Sequence, residues 1–197
     1  ISDGEVLDIP PVLCVSVFGR IPDVGRTVAS GLDRPGARLL LVGAPDYEGM
    51  GGSAWLEAAG MRGERAPRVD LELLPELLRA VHRAIREGAV TACHDVSEGG
   101  LVTTLAEMCI GGVLGAEVDV GELNVRPDVA LLNESAGVFV VELADGVEPE
   151  AWFGDVPHHA LGRTLPEPML RVSAASRELF SIGIDELQAH WEAPLRS

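Results

Sequence analysis

Apolar residues recur at helical spacing in several stretches of the chain. Steps of three and four residues from Leu71 to Ile85 predict a long amphipathic helix, and Gly88 is a typical stop signal. The segment from Glu98 to about Ile110 has similar spacing and is followed by Gly111-Gly112, so it predicts a second helix. Shorter helices are predicted at Asp23 to Ser30, Ala54 to Ala59 and Ile184 to Trp191.

Continuous runs of apolar and β-branched residues predict buried strands. The run Val12 to Phe18 follows two prolines that favour an extended entry, and the run Arg38 to Val42 is closed by a glycine. The segments Val129 to Leu132 and Val138 to Leu143 flank a turn-like sequence, and together they predict a hairpin. Further strands are predicted at Val90 to Cys93 and, as a final pair, at Ala160 to Arg163 and Leu170 to Ser173.

Strands and helices are interspersed along the chain without a strict βαβ repeat. This order favours an α+β fold, in which a mixed β-sheet is packed with helices, over a doubly wound parallel sheet. A length of 197 residues, 47% of them hydrophobic, suits one globular domain. No apolar run approaches the roughly 18 to 20 residues of a membrane-spanning helix, so no membrane partner is expected.

Charge and residue usage exclude several classes of function. The formal net charge of -16 repels the phosphate backbone of nucleic acids, so no nucleic-acid partner is expected. All 15 basic residues are arginine, so this chain can neither form a lysine Schiff base nor bind phosphate through a Walker-type lysine. The 3 cysteines form no C-x-x-C pair, and we expect a cytoplasmic location. The chain begins with Ile1 rather than methionine, from which we expect it to be part of a longer protein.

The segment His94 to Leu101 is the first candidate for chemistry, because it joins a predicted strand to a predicted helix. Free backbone N–H groups at such a junction bind anions, and Ser97, Gly99 and Gly100 would let a phosphate approach them. Asp95 is a candidate magnesium ligand, and His94 a candidate donor to a phosphate oxygen. The alternative is that Asp95 or Ser97 only caps the helix and the glycines permit close packing.

Two further loops carry candidate ligand-binding groups. Gly51, Gly52 and Ser53 precede a predicted helix, so their amides are candidates to cradle a phosphate or carboxylate. Glu134 and Ser135 place a carboxylate and a hydroxyl next to an apolar segment, where ligands often meet sheets. A plain connecting loop and a plain hairpin turn explain the same residues without a ligand.

Taken in order, these segments resemble one known family. The matching blocks are Gly19-Arg20-Ile21-x-Asp23-Val24, Leu40 to Gly43, Gly51-Gly52-Ser53-x-Trp55-Leu56, Val69-Asp70-Leu71, His94 to Leu101 with Leu105 to Met108, and Leu132 to Ser135. They resemble the C-terminal end of the synthetase subunit of phosphoribosylformylglycinamidine synthases, in the aminoimidazole ribonucleotide synthase superfamily. The resemblance implies the C-terminal α/β domain of that superfamily over residues 19–197, and a leftover strand of a preceding ATP-binding domain over residues 1–18.

The resemblance also implies an activity for the longer protein. Members convert the amide of formylglycinamide ribonucleotide to an amidine, using ATP, Mg2+ and ammonia from a glutaminase. The implied partners are the remaining domains of the subunit and the glutaminase. The ATP lysine and the catalytic histidines belong to the other half, so no catalytic residue is expected in this chain. Ala136 stands where the catalytic half has glutamine, which favours a structural half.

Two other functions remain open at this point. Related enzymes such as selenophosphate synthetases, thiamine phosphate kinases and hydrogenase maturation factors share a similar glycine-rich turn. A non-enzymatic module that docks a partner through its acidic surface is the other alternative.

Overall fold

A computed structural model describes residues 13–193 of the chain. Within these residues lies one seven-stranded sheet, in the order β2-β4-β1-β5-β3-β6-β7. The strands are β1 (Arg38–Val42), β2 (Val90–Asp95), β3 (Gly115–Asp119), β4 (Phe139–Leu143), β5 (His158–Leu165), β6 (Met169–Ala174) and β7 (Arg177–Gly183). The helices are α1 (Ala54–Ala58), α2 (Leu74–Arg86), α3 (Gly100–Gly112), α4 (Pro127–Leu132), α5 (Pro149–Phe153) and α6 (Ile184–Glu192).

The sheet is mixed, which confirms the predicted fold class. Neighbouring strands are antiparallel, except that β3 and β6 run parallel. Beyond β2, Ala29 forms a parallel bridge to Ala92, so part of this sheet edge is covered. In the part of the chain that the structure describes, no helix is both long and apolar enough to cross a membrane.

Hydrophobic cores lie on both faces of the sheet. Leu39 and Leu41 of β1 point to one face and pack in the core formed with α3 and α6. Leu40 and Val42 point to the other face, where α2 packs. Successive strand residues alternate between faces, so a strand covered on both faces needs a continuous apolar run. This requirement explains the sequence of β1.

The prediction of a hairpin around residues 133–137 is wrong. The first of its two arms is the helix α4, and only the second arm is a strand, β4. Pro127 lies in the first turn of α4, where its fixed φ favours a helix and its missing N–H costs nothing. Asn133 then returns the backbone to an extended conformation, with φ -74° and ψ 130°.

Two predictions near the beginning of the chain are also wrong. The segment from Asp23 to Ser30 forms only a 3-10 turn over Val24–Arg26, because the Asp23 side chain accepts the Gly25 amide and supports a tight turn. In the predicted strand from Val12 to Phe18, residues 13–18 belong to no strand, and residue 12 lies outside the described residues. A strand requires a neighbouring backbone, and no described residue pairs with this segment.

The predicted final strand pair is half right. Both strands form, as β5 and β6, but β3 lies between them and pairs with each. The strands β3 and β7 are not predicted from the sequence. The strand β7 pairs with β6, and a tight turn with positive φ at Ala175 and Ser176 connects the two strands. Asp119 supports this turn by accepting the amides of Gly121, Ala175 and Ser176, and these bonds hold its carboxyl pKa below the usual range.

Glu142 is a fully buried carboxylate in the middle of the sheet. It accepts the Asp33 amide at 2.8 Å and the Thr91 hydroxyl at 2.8 Å, and the Arg34 Nε lies 3.9 Å away. Burial disfavours the charged form and raises the pKa of Glu142 above its ordinary value of 4.5. The native state therefore holds this proton more tightly than the unfolded chain does.

We expect Glu142→Gln to flatten the pH dependence of the free energy of unfolding. In the wild type, the contribution of Glu142 to stability falls as pH rises above 4.5, because the unfolded state releases this proton first. Glutamine can still serve both partners without carrying a charge. Urea unfolding between about pH 4 and pH 7 measures this, with the exposed Glu150→Gln as control. Parallel pH profiles for wild type and Glu142→Gln would contradict the expectation.

Candidate functional site

The turn Asn133 to Ser135, which directly follows α4, lies where the candidate loops meet. Asn133 is 3% exposed, and its Nδ2 donates to the carbonyl oxygens of Asp46 at 3.0 Å and Gly49 at 2.8 Å. Its Oδ1 accepts the Ser135 amide at 3.1 Å and the Ser135 hydroxyl at 2.5 Å. Because each polar atom of this buried side chain has partners, the turn and the loop before α1 are held in one arrangement.

The hydroxyl of Ser135 points into the protein. Ser135 is 1% exposed, and its Oγ accepts the Asp46 amide at 2.8 Å while donating to Asn133. Sequence analysis singled out this hydroxyl as a candidate ligand group. The structure instead uses it to fasten the loop before α1.

Glu134 connects the two glycine-rich loops. Its Oε1 accepts the Ala54 amide at the start of α1 and the Gly99 amide at the start of α3, each at 2.8 Å. In the sequence, these helix starts are candidate sites for an external phosphate or carboxylate, with a purely structural role as the alternative. The chain supplies the carboxylate itself, and a carboxylate is favourable there because helix N-termini attract negative charge.

The loop of Gly51, Gly52 and Ser53 is held by neighbouring backbone. The Gly51 amide donates to the Arg65 carbonyl at 2.6 Å, and a Cβ at Gly51 would meet the Arg65 backbone at 2.7 Å. Gly52 has a φ of +81°, and Ser53 is 2% exposed and caps α1 through the Leu56 amide at 3.4 Å. These residues shape the loop, and none of them lines the cleft described below.

Asp46 is a site residue that sequence reasoning missed. Its carboxylate receives a bidentate pair of hydrogen bonds from Arg65, at 2.5 and 3.0 Å, and also accepts the Arg68 amide at 2.8 Å. These bonds hold the pKa of the Asp46 carboxyl well below its usual range. Asp46 and Arg65 both lie in irregular segments, so no periodic pattern signals their pairing.

Gly99 and Gly100 are required by the backbone at the start of α3. Their φ values are +80° and +73°, a region that side chains disfavour. A Cβ at Gly100 would meet the Leu131 carbonyl oxygen at 2.7 Å, and one at Gly99 would meet the Thr103 side chain of the same helix. Gly99 itself is the N-cap, with no side-chain cap bond, so neither Asp95 nor Ser97 caps this helix.

The structure turns His94 toward α3, where its Nε2 lies 3.2 Å from a Glu107 oxygen. Its Nδ1 lies 2.8 Å from the Asp95 carbonyl oxygen and 3.5 Å from an oxygen of the Asp95 carboxylate. The Asp95 side chain is 64% exposed and lines the cleft, whereas His94 does not line it. His94 therefore fastens β2 to α3 and lies beside the Asp95 carboxylate.

A cleft of about 460 Å³ opens between α2, the end of β2 and the Asn133 to Ser135 turn. Its apolar lining consists of Leu74, Leu78, Phe139, Ala136, Gly137 and Val96. Its polar lining consists of Ser97 and three carboxylates, which belong to Asp95, Glu98 and Glu134. Among the described residues, no arginine lines the cleft, so a phosphate without a cation is repelled there.

A metal ion bound by protein side chains alone requires several ligands. Within residues 13–193, no three histidine, cysteine, aspartate or glutamate side chains converge as a set that could hold a metal ion. Asp95 and Glu98 both line the cleft. Magnesium commonly uses only one or two carboxylates when substrate phosphates supply other ligands, so these residues suit a metal that arrives with a phosphate.

Comparison with known proteins places the chain in a family. Residues 34–158 match the family described as AIR synthase related protein, C-terminal domain. The phosphoribosylformylglycinamidine synthase subunit PurL of Deinococcus radiodurans is 31% identical over 197 residues, which cover 95% of this chain and 26% of that protein. The chain thus spans about a quarter of the length of the relatives that it matches.

Solved structures share the fold. The PurL of T. maritima complexed with FGAR has a TM-score of 0.70 at 21% identity, covering 83% of this chain and 30% of that one. The same protein complexed with ATP has a TM-score of 0.66 at 19% identity, covering 83% and 27%. With the family match over residues 34–158, these findings show that the chain belongs to the AIR synthase related proteins and carries their C-terminal domain.

Proposed function

We propose that the chain is the C-terminal domain of a phosphoribosylformylglycinamidine synthase subunit. Within the longer protein it would take part in the ATP-dependent conversion of formylglycinamide ribonucleotide to the amidine, with ammonia from a glutaminase. The observation that carries this proposal is the alignment of PurL subunits over 95% of the chain at 31% identity. The reaction belongs to carbon–nitrogen ligases, and a cytoplasmic location suits it.

We infer that this domain belongs to the structural half of the enzyme and holds no catalytic residue. Two features of the site support this role. The amides of Ala54 and Gly99 already bind Glu134, and the hydroxyl of Ser135 is buried. Ala136 lines the cleft at the position where the catalytic half of the family has glutamine, so one amide that could bind substrate is missing.

The lining of the cleft suggests how a nucleotide would bind there. The apolar side chains of Leu74, Leu78 and Phe139 suit a base or sugar, whereas the carboxylates require a cation beside any phosphate. We propose Asp95 as the residue that holds Mg2+ there, with the metal neutralising the phosphate charge. Ser97 also lines the cleft and can donate to a phosphate oxygen.

The segment before the domain suggests a contact with a neighbouring part of the protein. The apolar side chains of Leu13, Val15, Val17 and Phe18 are 72% to 92% exposed. Such an apolar run suits a strand whose sheet lies elsewhere in the polypeptide. We propose that residues 1–18 complete a preceding ATP-binding domain and that residues 19–197 form the C-terminal domain.

We expect Asp95→Asn to weaken binding of ATP in the presence of Mg2+ by about tenfold, because it removes the charged metal ligand from the cleft. Isothermal titration with wild type and variant measures this. Asp155→Asn, which removes an exposed carboxylate outside the cleft, is the matched control and should bind as the wild type does. Equal affinity of the wild type and Asp95→Asn would rule out the proposed metal ligand.

The full-length gene should restore growth without purines to a strain that lacks its own synthase. In the purified full-length enzyme, Ser135→Ala should lower the free energy of unfolding by about 1–3 kcal/mol, since the Asp46 amide and Asn133 lose a buried partner. The turnover number should change little, because this serine touches no ligand in a structural half.

Ser97→Ala provides the matched control, since this serine is exposed on the cleft wall and its loss should leave stability unchanged. Failure of the accumulated full-length protein to restore growth would refute the proposed activity. A hundredfold loss of kcat in Ser135→Ala at an unchanged melting temperature would instead show that the turn is catalytic.

A further inference from the structure

The core on the α2 side covers only part of its face of the sheet. It takes side chains from β1, β2 and β4, and in the described part of the chain it takes none from β3, β5, β6 or β7. The opposite side of these four strands packs in the core with α3 and α6. We call the uncovered side of the four strands the open face. It lies at the other end of the sheet from the cleft, which adjoins β2 and β4.

Charged residues form a row straight across the open face. Glu117 of β3 lies between its two register partners, Arg163 of β5 and Arg171 of β6. Arg171 in turn lies opposite Ser181 of β7. Directly paired residues point to the same side of a sheet, so the row presents a cation, an anion, a cation and a hydroxyl. The three charged side chains line one shallow depression of about 380 Å³.

The chain does not neutralise this row by itself. Within residues 13–193, neither Glu117 nor Arg163 nor Arg171 takes part in an ion pair. A single carboxylate between two guanidinium groups can form a bidentate pair with only one of them at a time. The open face therefore offers unpaired charges of both signs to a partner.

A second copy of the same row supplies the missing charges. The strands β3 and β6 are neighbours that run parallel, so a two-fold axis between them, along the strands, places β3 over β6 of the second copy. Glu117 then faces Arg171 of the second copy, and Arg171 faces Glu117 of the second copy. Arg163 faces Ser181 of the second copy. Glu178 of the second copy is one row further along, within reach of the Arg163 side chain.

The neighbouring row matches in size under the same axis. Gly115 of β3 lies opposite Leu165 of β5. Met169 of β6 lies opposite Gly183 of β7, and the parallel register of β3 with β6 places both pairs in one row. The axis brings Met169 over Gly115 of the second copy and Leu165 over Gly183 of the second copy. Large side chains thus face glycines where the charged row faces its opposite charges.

From this self-complementary pattern we propose that the open face binds a second copy of the chain, in a face-to-face dimer with two-fold symmetry. The two sheets pack as the layers of an aligned sandwich, about 10 Å apart, a distance that arginine and glutamate side chains span together. Because the open face and the cleft share no residue, the proposal is independent of the proposed activity.

The size of the open face sets the strength of the dimer. Four strands about 4.8 Å apart and about five residues long present roughly 300–400 Å². A standard interface buries about 800 Å² per partner, so this dimer is weak and depends on its charge pairs. The net charge of -16 on each copy opposes association at low salt. At about 0.15 M salt this repulsion is screened beyond about 8 Å, whereas pairs in contact are screened much less.

Sedimentation equilibrium of the 197-residue chain tests the proposal. At about 0.15 M salt, the wild type should dimerise with a dissociation constant of about 0.1 mM. Glu117→Arg and Arg171→Glu should each remain monomeric, because like charges then face each other twice across the axis. An equimolar mixture of the two variants should associate as the wild type does, since every position in the row again faces an opposite charge.

The mixture separates binding from folding, because two chains that are merely misfolded do not regain a partner when combined. Glu150→Arg and Arg62→Glu make the same changes of charge at exposed positions outside the open face, and both should dimerise as the wild type does. A wild type that stays monomeric up to about 1 mM would overturn the proposal and leave the open face to a different occupant. A wild type that dimerises while the mixture of variants does not would also overturn it, since the contact would then lie elsewhere.

Discussion

The carboxylate of Glu134 joins the start of α1 to the start of α3, and the buried side chains on either side of it bind the loop at Asp46. This single turn fixes the loop before α1 and the start of α3, and only the second of these adjoins the cleft, through Ser97 and Glu98. Backbone donors at helix starts lack partners within the helix and must find them elsewhere. Here the chain supplies the partner, and the position of α4 determines where that partner lies.

The same turn limits what the site can do. With the Gly99 amide bonded and the Ser135 hydroxyl buried, the side chains that line the cleft are three carboxylates, apolar groups and the single hydroxyl of Ser97. Such a surface suits a ligand that brings a cation and has an apolar part. It does not suit the capture of a free phosphate, although the loops resemble phosphate-binding loops in sequence.

Where burial creates a strong periodic signal, sequence reasoning succeeded. The helix α2 confirms the prediction made from the apolar spacing up to Ile85. The apolar run of β1 reflects the burial of this strand on both faces of the sheet. The six-residue helix α4 was mistaken for a strand, because a short apolar segment fits either structure and tertiary context decides between them. The strand β3 was missed because its alternation of buried and outward-facing residues covers only five positions, with Ala116 and Val118 as the two apolar side chains beyond Gly115.

The candidate site was only partly predictable for a related reason. Its loops were found from glycine and acidic residues, but their partners depend on contacts that are distant in sequence. Neither the pairing of Asp46 with Arg65 nor the contacts of Glu134 leave a local pattern. The sequence left open whether an anion binds at the helix starts, and only the fold shows that a carboxylate of the chain, that of Glu134, lies there.

Native-state hydrogen exchange of individual amides tests the central claim, that one turn holds both loops. In Ser135→Ala, the protection of the Ala54 and Gly99 amides should fall together by about tenfold, although Ser135 contacts neither. Amides between β6 and β7, far from the turn, should keep their protection. Loss of protection at Asp46 alone, with Ala54 and Gly99 unchanged, would show that the loops are held independently and would contradict the account.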